Sequence, residues 1–244
     1  MAIKKIGKFF IGIIFPKECV NCGNSGKWIC FDCFNLIDFK PLNLCIFCEG
    51  FSFLGLTCRK CKKDNYLDGA FSFNSYNNII LKKIIHNYKY NNVKSFSNNL
   101  SSILTIVLKN IEKAQAINVI PCIIDKNTLF FSIPLHKRRL RYRGFNQVEL
   151  LLDNLVLKDV VSLGKVGRGL VRGKYTKPQV KVENKKERLK NLQGVFNYSG
   201  KSIKGRKIIL IDDVSTTGAT FNECAKVLKS SGAKKVYGVS IARG

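Results

Sequence analysis

Acidic residues are scarce in this sequence. Its 244 residues include 16 Asp and Glu against 42 Lys and Arg, which gives a formal net charge of +26. A charge of this size favours a polyanionic partner such as nucleic acid, an anionic membrane surface or a polyphosphate. Lys, Asn, Ile and Phe are all frequent, so drift in composition is an alternative source of the charge. We favour a polyanionic partner, because acids are scarce even after that allowance.

Long apolar runs are also missing. No segment reaches the roughly 18 apolar residues of a membrane-spanning helix. The start, MAIKKIGKFFIGIIFPKEC, joins lysines to an apolar run, but Pro16 follows with no small-residue cleavage site, which argues against a signal peptide. A short helix packed on the protein is favoured there, and peripheral contact with the inner membrane is the alternative. We therefore expect a cytoplasmic protein, in a compartment where thiols stay reduced.

Cysteines, by contrast, are plentiful and regularly spaced. Eight of the ten form four C-x2-C pairs within 43 residues. Two such pairs can complete a tetrahedral zinc site, so we predict structural zinc. Short loops close at lower entropic cost, which favours adjacent pairs sharing an ion, although the spacing leaves alternate pairing open. The predicted ligands are Cys19, Cys22, Cys30, Cys33, Cys45, Cys48, Cys58 and Cys61.

The rest of the chain has the pattern of an α/β protein. A polar Lys-Lys-Asp-Asn stretch follows the last cysteine pair and predicts a boundary between a zinc module at residues 1–64 and a larger domain at 65–244. Apolar strands at 128–134, 207–211 and 236–241 alternate with helical stripes, which favours a parallel sheet wrapped in helices. Residues 165–190 hold ten Lys or Arg against two Glu, and we interpret them as a basic connection.

The stretch IILIDDVSTTGAT combines a buried strand, two carboxylates and a small-residue loop. Open α/β sheets bind ligands at the carboxyl ends of their strands, where Asp212 and Asp213 can accept hydrogen bonds from two sugar hydroxyls. The loop precedes a helix, whose N-terminus favours a phosphate. These parts together predict a ribose 5-phosphate site. A strand–turn–helix capped by one Asp, or a metal-binding Asp pair, is the alternative.

The same stretch resembles the phosphoribosyl pyrophosphate (PRPP) signature of type I phosphoribosyltransferases. Together with IPLHKRRLRYRGFNQ, TKPQ, ERLKNLQGVF and the four cysteine pairs, it resembles the ComF family of competence proteins over nearly the whole chain. The resemblance implies a phosphoribosyltransferase-like parallel sheet, a preceding zinc module, and PRPP with Mg²⁺ as a ligand.

The resemblance also implies roles for individual residues. The ribose hydroxyls are implied at Asp212 and Asp213, and the 5-phosphate at Ser215, Thr216, Thr217, Gly218, Ala219 and Thr220. The pyrophosphate and its Mg²⁺ are implied at Leu135, His136, Arg138 and Arg143, although both arginines are equally suited to DNA. In purine transferases of this superfamily an Asp taken to be the base stands where this chain has Thr216. Threonine is no general base near neutral pH, so the sequence identifies no catalytic residue.

Two functions follow as hypotheses. The first is a DNA-handling protein of natural transformation, which binds incoming single strands through basic side chains and stacked aromatic rings. Its predicted DNA contacts are Lys137, Arg139, Arg141, Arg172, Lys174 and Lys177, with Tyr142, Phe145 and Tyr175 as candidate stacking residues. For Tyr142 and Phe145, packing in the core is the alternative, and we favour it slightly. The second is a transferase that moves ribose 5-phosphate from PRPP to an unknown acceptor. The resemblance also suggests a DNA-uptake helicase as a protein partner.

Overall fold

The computed structural model describes residues 17–90, 95–157, 164–176 and 191–244. The N-terminal segment for which a helix is predicted lies outside these ranges, and so does Lys177. Within them, every helix is too short or too polar to cross a membrane.

The core is a five-stranded parallel sheet in which strands from late in the chain lie between earlier ones. Its strands are β1 (Gly69–Phe71), β2 (Thr128–Ser132), β3 (Gly164–Val166), β6 (Lys207–Ser215) and β7 (Lys235–Arg243), in the order β1-β7-β6-β2-β3. Strands β4 (Leu170–Arg172) and β5 (Phe196–Tyr198) form a separate antiparallel pair. The predicted α/β class, built on a parallel sheet, is confirmed.

Helices cover both faces of the sheet. Those of the described residues are α1 (Phe31–Asn35), α2 (Arg59–Lys62), α3 (Ile79–Tyr90), α4 (Phe96–Ala116), α5 (Lys137–Arg143), α6 (Gln147–Leu157) and α7 (Ala219–Ser230). Side chains alternate along a strand, so Ile209 and Ile211 of β6 join the core with α3, α4 and α6, whereas Ile208 and Leu210 join the core with α7,. A strand buried on both faces has to be apolar at every one of these positions.

Both cysteine-rich segments contribute side chains to the cores of the sheet. The first buries Ile29 and Ile37 in the core shared with α4, and its Trp28 ring lies 5.5 Å from the ring of Phe96. The second buries Ile46 in the core shared with α7, while its Leu56 packs against the other core. Each segment therefore gains apolar packing from the sheet and its helices. The division of the chain at residue 64 stays a prediction.

Two predicted segments differ from the structure. Strand β6 continues to Ser215 instead of ending at Ile211, because β7 runs beside it that far and pairs Arg243 with Ser215. The interpretation of 165–190 as connection is wrong where the structure describes it, since β3 and β4 lie there. Gly167 explains part of this, because a Cβ there would lie 2.1 Å from the Phe131 ring.

Asp68, just before β1, joins the second cysteine segment to the sheet. Its buried carboxylate pairs with Lys62 of α2, with Lys229 of α7 at 2.8 Å and with Lys235 of β7 at 3.2 Å, and it accepts the N–H of Val236 at 2.8 Å. Burial alone would raise the pKa of Asp68, but these partners outweigh it and the pKa is lowered. A buried carboxylate with this many partners is costly to change, because its loss leaves several charges unmatched.

We expect Asp68→Asn to lower the free energy of unfolding by about 2–3 kcal/mol near neutral pH, since the three lysines are only partly buried. Asp38→Asn is the control, because Asp38 pairs with Lys40 on the surface, and it should leave the free energy unchanged. The pKa of Asp68 is lowered by folding. Its contribution is therefore present above the unfolded pKa of about 3.9 and is lost as the pH falls through the folded value. Chemical denaturation of both variants as a function of pH measures this; equal losses would contradict it.

Candidate functional site

The two predicted carboxylates lie in the last part of β6, at the carboxyl edge of the sheet. The N–H of Asp213 donates to Oδ1 of Asp212 at 2.8 Å, and the N–H of Val214 donates to Oδ1 of Asp213 at 2.6 Å. Burial and the neighbouring charge of Asp213 raise the pKa of Asp212. Two adjacent carboxylates are therefore harder to ionise together than one alone.

Lys89, near the end of α3, contacts this pair. Its Nζ lies 2.9 Å from Oδ1 of Asp213, and the two side chains are only 18% and 8% exposed. Burial would lower the pKa of Lys89, but the charges of Asp213 and Asp212 raise it. Sequence reasoning missed Lys89, because its partner is remote in the chain. The available signal was its position four residues after Ile85, beside the apolar stripe of α3.

The predicted phosphate loop connects β6 to α7. A cavity there is lined by Asp212, Val214, Ser215, Thr216, Gly218, Ala219, Thr220 and Phe221. The hydroxyl of Ser215 is bonded to that of Ser240 at 2.8 Å. Oγ1 of Thr217 is buried and lacks a hydrogen-bond partner among the described residues. A buried hydroxyl of this kind is one that a ligand oxygen can satisfy, so the loop fits an anion at the start of α7.

The second cysteine segment packs directly on this loop. Gly218 has a φ of 74°, and a Cβ added to it would lie 2.9 Å from Cγ2 of Ile46. Ile46 follows the predicted ligand Cys45, and Arg243 of β7 donates to the carbonyls of Leu44 at 2.8 Å and of Cys45 at 3.1 Å. The loop, the end of β7 and the second cysteine cluster thus form one packed unit.

Both cysteine clusters assemble from adjacent pairs, as predicted. Within each cluster the four Sγ atoms lie within 4.8 Å of one another, and the clusters are Cys19, Cys22, Cys30, Cys33 and Cys45, Cys48, Cys58, Cys61. The Sγ atoms of Cys22 and Cys30 are 3.6 Å apart, and those of Cys48 and Cys58 are 3.7 Å apart. Tetrahedral zinc with Zn–S bonds of about 2.3 Å sets its sulfurs about 3.8 Å apart. The clusters therefore fit zinc.

The Cys45 thiol is also suited to ionise. Burial opposes its ionisation, but amide hydrogen bonds from Cys58, Phe47 and Cys48 outweigh burial and lower the pKa of Cys45 to about 7. The thiolate is the form of cysteine that binds a metal.

Helix α5 adds basic side chains at the same edge. It follows the turn at Leu135 and His136, and Nδ1 of His136 accepts the N–H of Arg138 at 3.1 Å as the helix cap. Two of its basic residues are half-buried and the others exposed; the five are Lys137, Arg138, Arg139, Arg141 and Arg143. The Cζ atom of Arg143 lies 5.7 Å from the centre of the Tyr90 ring. Tyr90 directly follows Lys89 in the sequence, so Arg143 lies near the acidic pair. The predicted pyrophosphate residues and the acidic pair are thus brought to one edge.

Thr176 joins α5 to the end of β4. Arg139 donates to its carbonyl at 2.9 Å, and Arg172 donates to its hydroxyl at 2.6 Å. The Tyr175 ring lies 5.3 Å from the ring of His136 and 5.1 Å from Cζ of Arg138. Two of the predicted DNA contacts, Arg139 and Arg172, therefore also hold this surface together. Lys174 is exposed beside it.

The candidate stacking residues separate into two kinds. Tyr142 is 84% exposed and Tyr175 is 44% exposed, so both can meet a ligand. Phe145 packs against Tyr88 of the core, with the ring centres 5.8 Å apart. For Phe145, packing in the protein accounts for the aromatic ring.

We expect Gly218→Ala to lower the free energy of unfolding by about 2–3 kcal/mol, because it adds a left-handed alanine and a clash with Ile46. Gly205→Ala is the matched control. Gly205 has a φ of 73° with nothing within 4 Å of an added Cβ, so only the backbone cost of about 1 kcal/mol applies. Denaturation of the zinc-loaded variants measures both. Equal losses would show that the Ile46 contact contributes nothing.

Known proteins resemble this chain in sequence. Competence protein F of Haemophilus influenzae is 26% identical over 164 residues, which cover 67% of this chain and 68% of that protein. Competence protein ComFC of Bacillus subtilis is 28% identical, and the alignment covers 84% of this chain and 79% of that protein. ComFC of Streptococcus pneumoniae is 38% identical over 48% of this chain, and the match spans about half (49%) of that relative.

No protein-family model matches the chain. Among solved structures, a hypoxanthine phosphoribosyltransferase from Staphylococcus aureus aligns over 59% of this chain and 62% of its own, with 12% identity and a TM-score of 0.36. The sequence relatives and the two four-cysteine clusters agree with the resemblance predicted from the sequence. The chain is therefore similar in sequence to the ComF-type competence proteins.

Proposed function

We propose that this protein binds PRPP at the carboxyl edge of its sheet and handles single-stranded DNA in the cytoplasm during DNA uptake. The observation that carries the proposal is the meeting of an acidic pair, a loop with an unsatisfied buried hydroxyl and a basic helix at one edge. Relatives named as competence proteins support the DNA part.

The proposed ribose 5-phosphate site has carboxylates on one side of a turn and groups that favour an anion on the other side. Carboxylates such as Asp213 accept hydrogen bonds from sugar hydroxyls and repel phosphates. The loop after them offers the hydroxyl of Thr217 and the N-terminus of α7, which favour a phosphate,. A ribose 5-phosphate carries both kinds of group in one molecule. Mg²⁺ would accompany the pyrophosphate, near the arginines of α5.

The DNA part follows from the exposed basic groups beside that site. Lys137, Arg141 and Lys174 are exposed, and the exposed rings of Tyr142 and Tyr175 lie among them in the sequence. Basic side chains that follow a phosphate backbone, with aromatic rings that stack on bases, bind single strands with little sequence preference. This surface is therefore proposed as the DNA contact.

The remaining partners belong to the same proposal. Zinc in both cysteine clusters would stabilise segments that have little core of their own. A DNA-uptake helicase is proposed as a protein partner from the family resemblance, and contact of the N-terminal segment with the membrane surface from its lysines beside an apolar run.

Asp213→Asn tests the sugar-phosphate site. We expect it to reduce PRPP binding at least about tenfold, because a carboxylate that accepts hydroxyl hydrogen bonds is lost, and to leave DNA affinity unchanged or slightly raised. Asp38→Asn, on the exposed surface, is the control for both ligands. Isothermal titration calorimetry with Mg–PRPP and fluorescence anisotropy with labelled single strands give the two affinities. Unchanged PRPP binding would overturn this assignment.

Removal of Lys137 and Arg141 tests the DNA surface. For single strands the logarithm of affinity falls with the logarithm of salt concentration by about 0.7 for each phosphate contact. The double variant Lys137→Ala/Arg141→Ala should therefore make that slope shallower by about 1.4. Lys109→Ala/Lys113→Ala removes the same charge from exposed positions on α4 and should keep the slope. Equal slopes for the two double variants would contradict the proposed surface.

A transferase reaction is the second candidate. The observation that favours it is the acidic pair of Asp212 and Asp213 beside the loop at the start of α7, an arrangement suited to holding the ribose 5-phosphate of PRPP while its pyrophosphate leaves. Release of pyrophosphate from Mg–PRPP by the zinc-loaded protein, with a panel of nucleobases, tests it. Release that depends on one acceptor would establish an enzyme, whereas binding without release would leave PRPP as a regulatory ligand.

A further inference from the structure

The side chain of Lys89 places a positive charge against the acidic pair. Its ammonium lies 2.9 Å from Oδ1 of Asp213, with both side chains mostly buried. Within the described ranges, Lys89 forms its ion pair with Asp213 alone. The charge of Asp212 also raises the pKa of Lys89. One ammonium therefore lies against two adjacent carboxyl groups and pairs directly with one of them.

The backbone around Lys89 holds that ammonium in place. Ile84, Ile85 and Tyr88 of α3 are fully buried, and the Tyr88 hydroxyl donates to the carbonyl of Gln147 at 2.8 Å. Helix α3 is thus fixed against the core one residue before Lys89. The position of the lysine follows from packing, so the ion pair does not depend on a flexible surface segment.

The ion pair leaves the carboxylate able to bind a ligand. A carboxylate has about four lone-pair sites. The described contacts from Lys89 and from the N–H of Val214 both go to Oδ1 of Asp213. Sugar hydroxyls can therefore be added while the ammonium stays, and the ammonium reduces the repulsion between the carboxylate and the phosphate that arrives with the sugar.

We propose that Lys89 is the resident cation of the acidic pair and allows a ribose phosphate to bind there with no divalent cation at the two carboxylates. The inference rests on the proposed sugar-phosphate function and deepens it, since it confines Mg²⁺ to the pyrophosphate end of PRPP. Lys89 is accordingly a positioning residue that acts through Asp213.

Ribose 5-phosphate is the probe for this inference, because it lacks the pyrophosphate that itself holds Mg²⁺. Calorimetry of the zinc-loaded full chain, with and without added Mg²⁺, compares the wild type with Lys89→Met, Lys89→Arg and Lys83→Met. Lys83 is exposed on the same helix, so Lys83→Met removes the same charge without touching the pair. Magnesium-free buffer is prepared by passing the buffer over a resin before protein is added, which leaves the cysteine clusters loaded.

We expect the wild type, Lys83→Met and Lys89→Arg to bind with affinities that change less than about threefold on adding Mg²⁺. Lys89→Met should bind at least about tenfold more weakly without Mg²⁺ and recover most of that loss with it, because a buried carboxylate then lacks its counter-charge. A merely structural role for Lys89 would weaken binding equally in both buffers. The melting temperature of each variant identifies any that does not fold. If Lys89→Met does not fold, the Mg²⁺ dependence of the wild type alone still tests the inference, because binding only with Mg²⁺ would overturn it.

Equal weakening of Lys89→Met in both buffers would overturn the inference. A wild type that binds only with Mg²⁺, or Lys89→Met that matches the wild type without Mg²⁺, would also overturn it; each of these results leaves the proposed function intact. Absence of ribose 5-phosphate binding by the wild type in both buffers would overturn the inference as well, and calorimetry with Mg–PRPP then decides separately whether the proposed function stands.

Discussion

Strand β6 is hydrogen-bonded to a parallel strand on each side, and the rest of the structure depends on this constraint. Parallel hydrogen bonds to β2 on one side and β7 on the other fix its direction and register. Because side chains alternate along a strand, this register also decides which residues enter each core. The carboxylates can then lie nowhere but at the edge where β6 ends, beside the loop that begins α7. The chemistry of the site is therefore a consequence of how the sheet is assembled.

In a chain with so few acidic residues, two buried carboxylates join separate elements through ion pairs, and we call each of these contacts a junction. Asp68 gathers three lysines from α2, α7 and β7, and Asp213 holds Lys89 of α3. Each junction joins elements remote in sequence, and each would be unstable without its cations. Some of the basic residues therefore match these buried acids, whereas the exposed basic residues of α5 are available to a polyanion.

The sequence predicted the features whose signals are local. The cysteine pairs, the apolar run of β6, the acidic pair and the loop after it are contiguous, so spacing and residue type predict them. Lys89 and Asp68 were missed because their roles depend on partners across the sheet, which periodicity does not reveal. Strand β3 was missed because its pairing depends on Gly167 fitting against Phe131, while its lysine resembles that of a solvated loop. The contact of Ile46 with Gly218 likewise needs the assembled fold.

The strand order has a consequence for the order in which the molecule is made. Each cysteine cluster uses residues close in sequence, so both clusters can assemble early in synthesis. The surface that covers the second cluster comes much later, since Arg243 at the end of β7 binds the carbonyl of Cys45 and Gly218 packs on Ile46. Contacts at such sequence separation form slowly. During translation the apolar side of the second cysteine segment therefore stays uncovered until the last strands of the sheet have been made.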